Sequence, residues 1–179
     1  MKHTIFGFNS IFRNYGWSCF ILDSILPLNI SSMLCLSMYI NDADIVSQTK
    51  HITGIGIYTI PFIIVIIAIA YAVVIGFIKG HKTYPEMKTE KGRRLVQELN
   101  SSLAVYMIMS VVSLLMMIAT SSFIGIAAST ETPNIMNYIV YFTVCCLLAY
   151  PVSNLISIAI IIFNIGQTSL LYGKELLHD

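Results

Sequence analysis

Apolar residues form four long runs along this chain of 179 residues, and shorter polar stretches separate them. The runs cover about Ser18–Ile40, Ile55–Ile78, Leu103–Ser129 and Ile135–Ile165. A helix needs about 20 mainly apolar residues to cross a bilayer, and each run meets that length. The pattern therefore predicts an all-α integral membrane protein, a single membrane domain over residues 1–179 with four transmembrane helices.

The segment before the first run has a helical pattern of its own. Its apolar residues recur at spacings of three and four: Ile5, Phe8, Ile11, Phe12 and Tyr15. This periodicity predicts a short N-terminal amphipathic helix that lies in the membrane interface, with Trp17 as its anchor. The alternative is a frayed first turn of the first span.

Composition agrees with the membrane prediction. Hydrophobic residues make up 56% of the chain and charged residues only 11%, whereas soluble domains carry about 25% charged residues. The four cysteines all lie inside the apolar runs, where a thiol acts as a small hydrophobic group, and no pair has metal-ligand spacing. We therefore expect neither a cofactor nor a metal site.

Positive charge is concentrated in one polar stretch, the predicted cytoplasmic segment of residues 79–102. This basic segment holds six of the ten Lys and Arg residues. With four spans, it lies on the same side of the membrane as both termini. That side then holds nine of the ten positive residues, and only Lys50 lies opposite. Because Lys and Arg favour the cytoplasmic side of short loops, we expect both termini in the cytoplasm.

Three interpretations of the basic segment remain open. Its charges can meet anionic lipid headgroups and so fix the topology, dock a cytosolic protein, or bind nucleic acid. Aromatic residues are scarce in the segment, so no direct nucleic-acid contact is expected. Glu90, Arg94 and Glu98 are four residues apart, which favours a helix leading into the third span. The candidate partner-binding residues are Lys82, Lys88, Lys91, Arg93 and Arg94.

Small residues recur at every fourth position on two spans, and this spacing favours close packing of helices in a membrane. One compact bundle does not need both stripes, so we expect the chain to form a homo-oligomer. The stripes consist of Ala68, Ala72 and Gly76 on the second span, and of Ser121, Gly125 and Ser129 on the third.

Three polar residues inside the runs are candidates for roles within the membrane: Asp23, Asn29 and Asn154. Intramembrane acids are functional candidates by default. A later start of the first span would instead place Asp23 at the inner interface, paired with Arg13 or with solvent. The asparagines are expected to form hydrogen bonds between helices. Pro151, within one turn of Asn154, is a candidate hinge.

No arrangement of residues predicts catalysis. All four histidines lie outside the runs, and none neighbours a Cys or Ser in a recognisable nucleophile arrangement. The sequence has no H-E-x-x-H, no G-x-S-x-G and no phosphate-cradling loop. A proton relay would need several ionisable groups in the bundle, and there is at most one. We therefore expect that the protein is not an enzyme.

A small four-span chain with both ends inside, and with KGHKTYPEMKTEKGRRLVQEL as its main cytoplasmic surface between the second and third spans, resembles the membrane subunit of the Kiwa anti-phage defence system. The resemblance covers the whole chain through its layout and size. It implies a homo-oligomer of the bacterial inner membrane, a tetramer, that senses infection at the membrane. It also implies a cytosolic DNA-binding partner subunit.

Two other functions fit the same layout. Immunity proteins against pore-forming bacteriocins also have four spans with cytoplasmic ends, and they act by helix–helix contact inside the membrane. The other candidate is a small oligomeric channel lined by Ser110, Ser113 and Ser121. The absence of charged rings in the spans argues against the channel.

Overall fold

The computed structural model describes residues 15–41, 44–80, 90–127 and 135–175 of the chain. These residues form four α-helices, and the described part contains no strand. The helices are α1 (Trp17–Ile40), α2 (Ile45–Gly80), α3 (Glu90–Ala127) and α4 (Ile135–Glu175). Each carries a stretch long and apolar enough to cross a membrane. The predicted fold class is therefore confirmed. The predicted N-terminal amphipathic helix lies mostly outside the described residues.

Three helices are longer than the bilayer requires. Helices α2, α3 and α4 have 36, 38 and 41 residues, and at 1.5 Å per residue each is longer than a hydrocarbon core of about 30 Å. Helix α3 begins at Glu90, before its apolar stretch starts at Val96. The predicted helix leading into the third span is thus confirmed as one continuous helix with that span.

The connection between the first two spans is shorter than the sequence suggested. Residues 41–54 separate the first two apolar runs of the sequence, but α2 already begins at Ile45. The Asp44 carboxylate accepts hydrogen bonds of 3.1 Å from the backbone N–H groups of Val46 and Ser47, which caps the helix start. Thr49 and Thr53 bond to carbonyls one turn earlier, so polar residues in this turn are compatible with a helix.

The bundle consists of a three-helix core with a fourth helix at its side. Helices α2, α3 and α4 pack against one another, whereas α1 packs mainly against α4. A large central cluster joins Ile67 of α2, Leu103 of α3 and Ile158 of α4. A second cluster joins Ile60, Met117 and Val144. Only Pro27 and Ser31 are buried on α1, so this helix is peripheral.

The outer surface is strongly apolar. Large side chains such as Trp17 and Phe62 are exposed by 81% and 72%, and similar residues cover the outside of every helix. Soluble monomers rarely expose apolar patches of this extent. Contact with a lipid bilayer accounts for this surface, and the chain is a multi-pass membrane protein.

Candidate functional site: a carboxylate held by tyrosines

Asp23 on α1 is held by two phenol groups. The Tyr106 hydroxyl of α3 donates a hydrogen bond of 2.9 Å to Asp23 Oδ2. The Tyr15 hydroxyl donates a second hydrogen bond to the same oxygen. The two phenol rings meet edge to face, with centroids 6.0 Å apart. Asp23 is half-buried, so the carboxylate is supported by the protein on one side and accessible on the other.

The helices place this carboxylate well inside the membrane-spanning part of the bundle. Tyr106 lies ten residues, about 15 Å, beyond the start of the apolar stretch of α3 at Val96. On α4, the neighbouring Tyr150 lies in the middle of the apolar stretch Ile135–Asn164. Helix α1 begins only six residues before Asp23. Helix α1 therefore extends only a short distance beyond Asp23 at its N-terminal end, whereas α3 and α4 extend further in that direction.

Tyr15 reaches Asp23 because the chain turns sharply just before α1. Gly16, the residue between Tyr15 and the helix, has φ +80° and ψ 145°, a conformation that essentially only glycine adopts. The turn directs Tyr15 into the central cluster, where it is 4% exposed. The Tyr15 hydroxyl therefore donates to Asp23 from a buried position in the bundle.

Three further polar side chains of α4 surround the pair of phenols. Tyr150 and Asn154 are buried side by side, next to Tyr15, and Ser157 lies beside Tyr106. The Tyr150 hydroxyl lies within hydrogen-bonding reach of Tyr15 and Asn154. We call these side chains together with Asp23, Tyr15 and Tyr106 the Asp23 cluster.

The structure gives Asp23 partners that the sequence analysis did not consider. The proposed partner Arg13 lies outside the described residues, while Tyr15 and Tyr106 were not predicted. A local pattern does mark part of this cluster on α4, because Tyr150, Asn154 and Ser157 follow one another at spacings of four and three. That spacing places them on one helix face.

The two asparagines occupy different environments. Asn29 is exposed and donates a bond of 2.9 Å to the Ile25 carbonyl of its own helix. The predicted inter-helix bond of Asn29 is therefore absent from the described part of the chain. Asn154 is 1% exposed and lies beside Tyr150 within the Asp23 cluster. Pro151 is buried within the continuous helix α4, where the nearby Ser153 hydroxyl donates to the Tyr150 carbonyl at 2.9 Å.

The small-residue stripe of α2 faces outward. Ala68, Ala72 and Gly76 are all exposed, and a methyl group added at Gly76 would meet no atom within 4 Å. The described helices therefore do not use this stripe for their own packing. On α3, Ser121 is exposed and bonds to the Ile118 carbonyl, Gly125 lies in the helix, and Ser129 lies outside the described residues.

The predicted partner-binding residues are only partly covered by the structure. Lys91, Arg93 and Arg94 lie in the first turns of α3. Lys82 and Lys88 lie outside the described residues. The basic segment is thus joined directly to a membrane-spanning helix at its C-terminal end.

The serines proposed to line a channel do not share a surface. Ser110 and Ser113 are buried inside the single chain, whereas Ser121 is exposed. A pore between copies would have to expose the first two by repacking α3. The bundle as it stands gives the channel hypothesis no support.

A small cavity lies near the other end of the core, between α2, α3 and α4. Its volume is about 20 Å³, and it is lined by Val46, Thr49, Ile124, Asn137 and Val140. The Asn137 NH₂ group is buried there without a partner among the described residues. A cavity of this size has room for one water molecule.

The described residues do not assemble a metal site. All four cysteines are free thiols, and no three His, Cys, Asp or Glu side chains of the described ranges come together. The Asp23 cluster is therefore the main concentration of buried polar groups within the described helices. No protein-family model, curated protein or solved structure matches this chain.

Proposed function

We propose that the chain is a bacterial inner-membrane component of anti-phage defence that acts without catalysis. It associates with further copies of itself, as a tetramer, senses infection at the membrane and recruits a cytosolic DNA-binding effector subunit through its basic segment. The outward-facing stripe of Ala68, Ala72 and Gly76 is the observation that carries this proposal. The resemblance in layout to the membrane subunit of the Kiwa system supports the defence role and the kind of partner.

The surroundings of the stripe favour contact with another helix over contact with lipid alone. Small residues let two helix backbones approach closely, and van der Waals packing and backbone proximity then drive association. The exposed β-branched residues Val65, Ile69 and Val73 flank the stripe. Such side chains are already restricted in a helix and lose little entropy on packing. A second copy of α2 therefore fits this face.

The continuity of α3 supports the recruiting role. Its first turn and a half, from Glu90 to the start of the apolar stretch at Val96, belongs to the same helix as the span. Residues such as Arg93 and Arg94 are therefore attached rigidly to a membrane helix. A change in helix packing within the bilayer would move this part of the basic segment, which is the behaviour expected of a sensor.

Self-association is tested by enlarging the stripe. The variants Ala68→Leu, Ala72→Leu and Gly76→Leu would separate the copies, and native mass spectrometry or crosslinking in detergent would show smaller assemblies. Ile66→Leu is the matched control, because it alters an exposed apolar position of α2 without filling the stripe or changing the residues that flank it. A clean monomer of the unmodified chain would defeat the oligomer proposal.

Recruitment is tested by affinity purification from the native host. Reversal of Lys82, Lys88, Lys91, Arg93 and Arg94 to Glu should release a co-purifying protein, while circular dichroism shows an intact helical bundle. Lys50→Glu is the matched control, because Lys50 lies at the opposite end of the spans. Purification without a specific partner, or a partner that survives the charge reversal, contradicts the proposal.

The exposed surface of α1 favours one alternative, an immunity protein against a pore-forming bacteriocin. Apart from Pro27 and Ser31, nearly all of this helix is open to lipid or to another protein. Immunity proteins act by helix–helix contact inside the membrane, and a peripheral apolar helix suits that contact. Protection of a sensitive strain by this chain alone would select the alternative.

A further inference from the structure

Helix α1 carries a row of exposed side chains on the face that points away from the bundle. The members of this row recur at spacings of four and three residues: Leu22, Leu26, Asn29, Met33, Leu36 and Ile40. Pro27 and Ser31, the buried residues of α1, lie on the opposite side of the helix, which has 3.6 residues per turn. We call the exposed row the α1 seam.

Asn29 is the polar member of the α1 seam, and it lies near the middle of the bilayer. Trp17 and Tyr39, at the two ends of α1, are 81% and 66% exposed, as is typical of aromatic residues at the two membrane interfaces. At 1.5 Å per residue they are about 33 Å apart, which matches a hydrocarbon core of about 30 Å. Asn29 is about 18 Å from the level of Trp17 and about 15 Å from that of Tyr39, so it is far from water on either side.

An exposed asparagine at this depth has hydrogen-bonding capacity that lipid cannot meet. Its amide offers two N–H donors and one oxygen acceptor. Among the described residues, it donates one bond of 2.9 Å to the Ile25 carbonyl of its own helix. Lipid tails neither donate nor accept, and an unsatisfied polar group costs several kcal/mol in the bilayer. The Asn29 amide therefore favours a protein neighbour outside this bundle.

The α1 helix of another copy of the chain fits this neighbour. Copies of one chain cross the membrane in the same direction, and identical residues meet around the axis of a cyclic oligomer. Asn29 would then meet Asn29, and an amide bonds to itself because it both donates and accepts. The spacing of the α1 seam is that of a coiled coil, in which a single polar residue fixes the register and the number of helices.

We propose that the α1 helices of neighbouring copies pack in parallel along the α1 seam, with their Asn29 amides bonded to one another on the axis of the oligomer. This inference rests on the self-association in the proposed function, and it names the face at the centre of the assembly. Apolar packing alone gives helices little selectivity in lipid, so the asparagine selects the contact and the apolar members of the seam provide its surface.

Disulfide crosslinking in membranes tests which face of α1 lies at the axis. In a background without native cysteines, Leu26→Cys and Met33→Cys should each give a crosslinked dimer on mild oxidation. Leu28→Cys and Leu34→Cys are the matched controls, because both residues are exposed and lie about 120° to either side of the seam. Equal crosslinking at all four positions, or none at the two seam positions, would overturn the proposal.

The variant Asn29→Leu isolates the contribution of the amide. Leucine packs no better against another helix than against lipid tails, so the dissociation constant of the oligomer should rise by about 3-fold to about 20-fold. Energy transfer between labelled copies at increasing dilution measures this constant. Asn29→Gln keeps an amide and should retain most of the affinity. An unchanged dissociation constant for Asn29→Leu would overturn the role of the amide.

Thr143→Val is the matched control for Asn29→Leu. Thr143 is also an exposed polar residue, and its hydroxyl donates a bond of 2.8 Å within its own helix, α4. This variant should leave the dissociation constant unchanged. An equal rise in both variants would show that the loss of any exposed polar side chain weakens the oligomer, which contradicts a specific contact at Asn29.

Native mass spectrometry of the unmodified chain separates a failure of the α1 seam from a failure of the proposed self-association. An oligomer whose seam positions do not crosslink would overturn the seam and leave the stripe of Ala68, Ala72 and Gly76 as the contact. A clean monomer would overturn both. Seam crosslinks that persist in the Ala72→Leu variant would show that the α1 contact forms independently of the stripe, as proposed.

Discussion

The hydroxyl of Tyr106 on α3 lies 2.9 Å from the carboxylate Oδ2 of Asp23 on α1, although α1 packs mainly against α4. This hydrogen bond connects the peripheral helix to a core helix that it otherwise barely contacts. Apolar packing in a membrane gives α1 little preference for one orientation, because lipid tails are as apolar as leucine. The polar bond therefore fixes both the rotation and the depth of α1.

Tyr106→Phe should loosen α1 while leaving the core of the bundle packed. It removes one hydroxyl and keeps the ring that packs in the central cluster. Hydrogen bonds between membrane helices contribute about 0.6 kcal/mol on average and up to about 1.7 kcal/mol, so the free energy of unfolding should fall by about 1 kcal/mol. Denaturant unfolding in detergent measures it. Tyr58→Phe is the control, because the Tyr58 side chain is exposed on α2. An equal fall in the free energy of unfolding in both variants would contradict the role of the bond.

Gly16→Ala should displace Tyr15 from Asp23. The backbone of Gly16 has φ +80°, and conformations of this class cost a residue with a side chain about 1–3 kcal/mol. No atom lies within 4 Å of a methyl group at this position, so the strain comes from the backbone alone. Trp17, the single tryptophan of the chain, is the adjacent probe. The fluorescence of Trp17 should change, and the free energy of unfolding should fall.

Gly54→Ala serves as the control for Gly16→Ala. Gly54 lies inside α2, and nothing lies within 4 Å of an added methyl group. Alanine is favoured over glycine in a helix by about 0.5–1 kcal/mol, so this variant should be neutral or more stable. If Gly16→Ala were equally harmless, the turn at Gly16 would not be what positions Tyr15.

Gly56→Ala should destabilise the contact between α2 and α3. A methyl group at this position would overlap the sulfur and terminal carbon of Met117, which is fully buried between Ile60 and Val144. Overpacking of a core costs about 1–3 kcal/mol, and the preference of a helix for alanine over glycine, about 0.5–1 kcal/mol, offsets part of this cost. Gly54→Ala, two residues earlier, is again the control, and thermal unfolding in detergent measures both.

Met117→Ala provides the rescue for Gly56→Ala. It removes the atoms that the new methyl group would overlap, so the alanine at position 56 should add almost no further cost in the double variant. If Gly56→Ala lowers the stability equally with and without the Met117 side chain, the overlap with Met117 is not the cause of the loss.

The four spans could be predicted because they depend on local composition alone. The start of α2 could not be predicted in this way, because its first turns are polar. The hydrogen bonds of Asp44, Thr49 and Thr53 with the backbone make these polar residues compatible with a helix. The partners of Asp23 were missed for a different reason. Tyr15 and Tyr106 are 8 and 83 residues away along the chain, and no periodicity shows which helices become neighbours.

The sequence also did not predict how each helix is rotated about its own axis. Apolar residues cover almost every face of α1, so its pattern does not distinguish the side that packs on α4 from the side that faces lipid. Asn29 was expected between helices for its chemistry, and it faces outward. The same uncertainty applies to the stripe of Ala68 and Ala72, whose exposed position became apparent only once α3 and α4 were placed against the other faces of α2.

The orientation of the chain is the last prediction, and it depends on where the positive charges lie. Nine of the ten Lys and Arg residues lie on the side of the basic segment, and positive residues of short loops stay in the cytoplasm. In a background without native cysteines, Lys50→Cys should react with a membrane-impermeant maleimide in intact spheroplasts. Lys88→Cys should react only after permeabilisation, as should Lys174→Cys, the control for the same side. Labelling of position 88 from outside would invert the topology, and the basic segment would then have no access to a cytosolic partner.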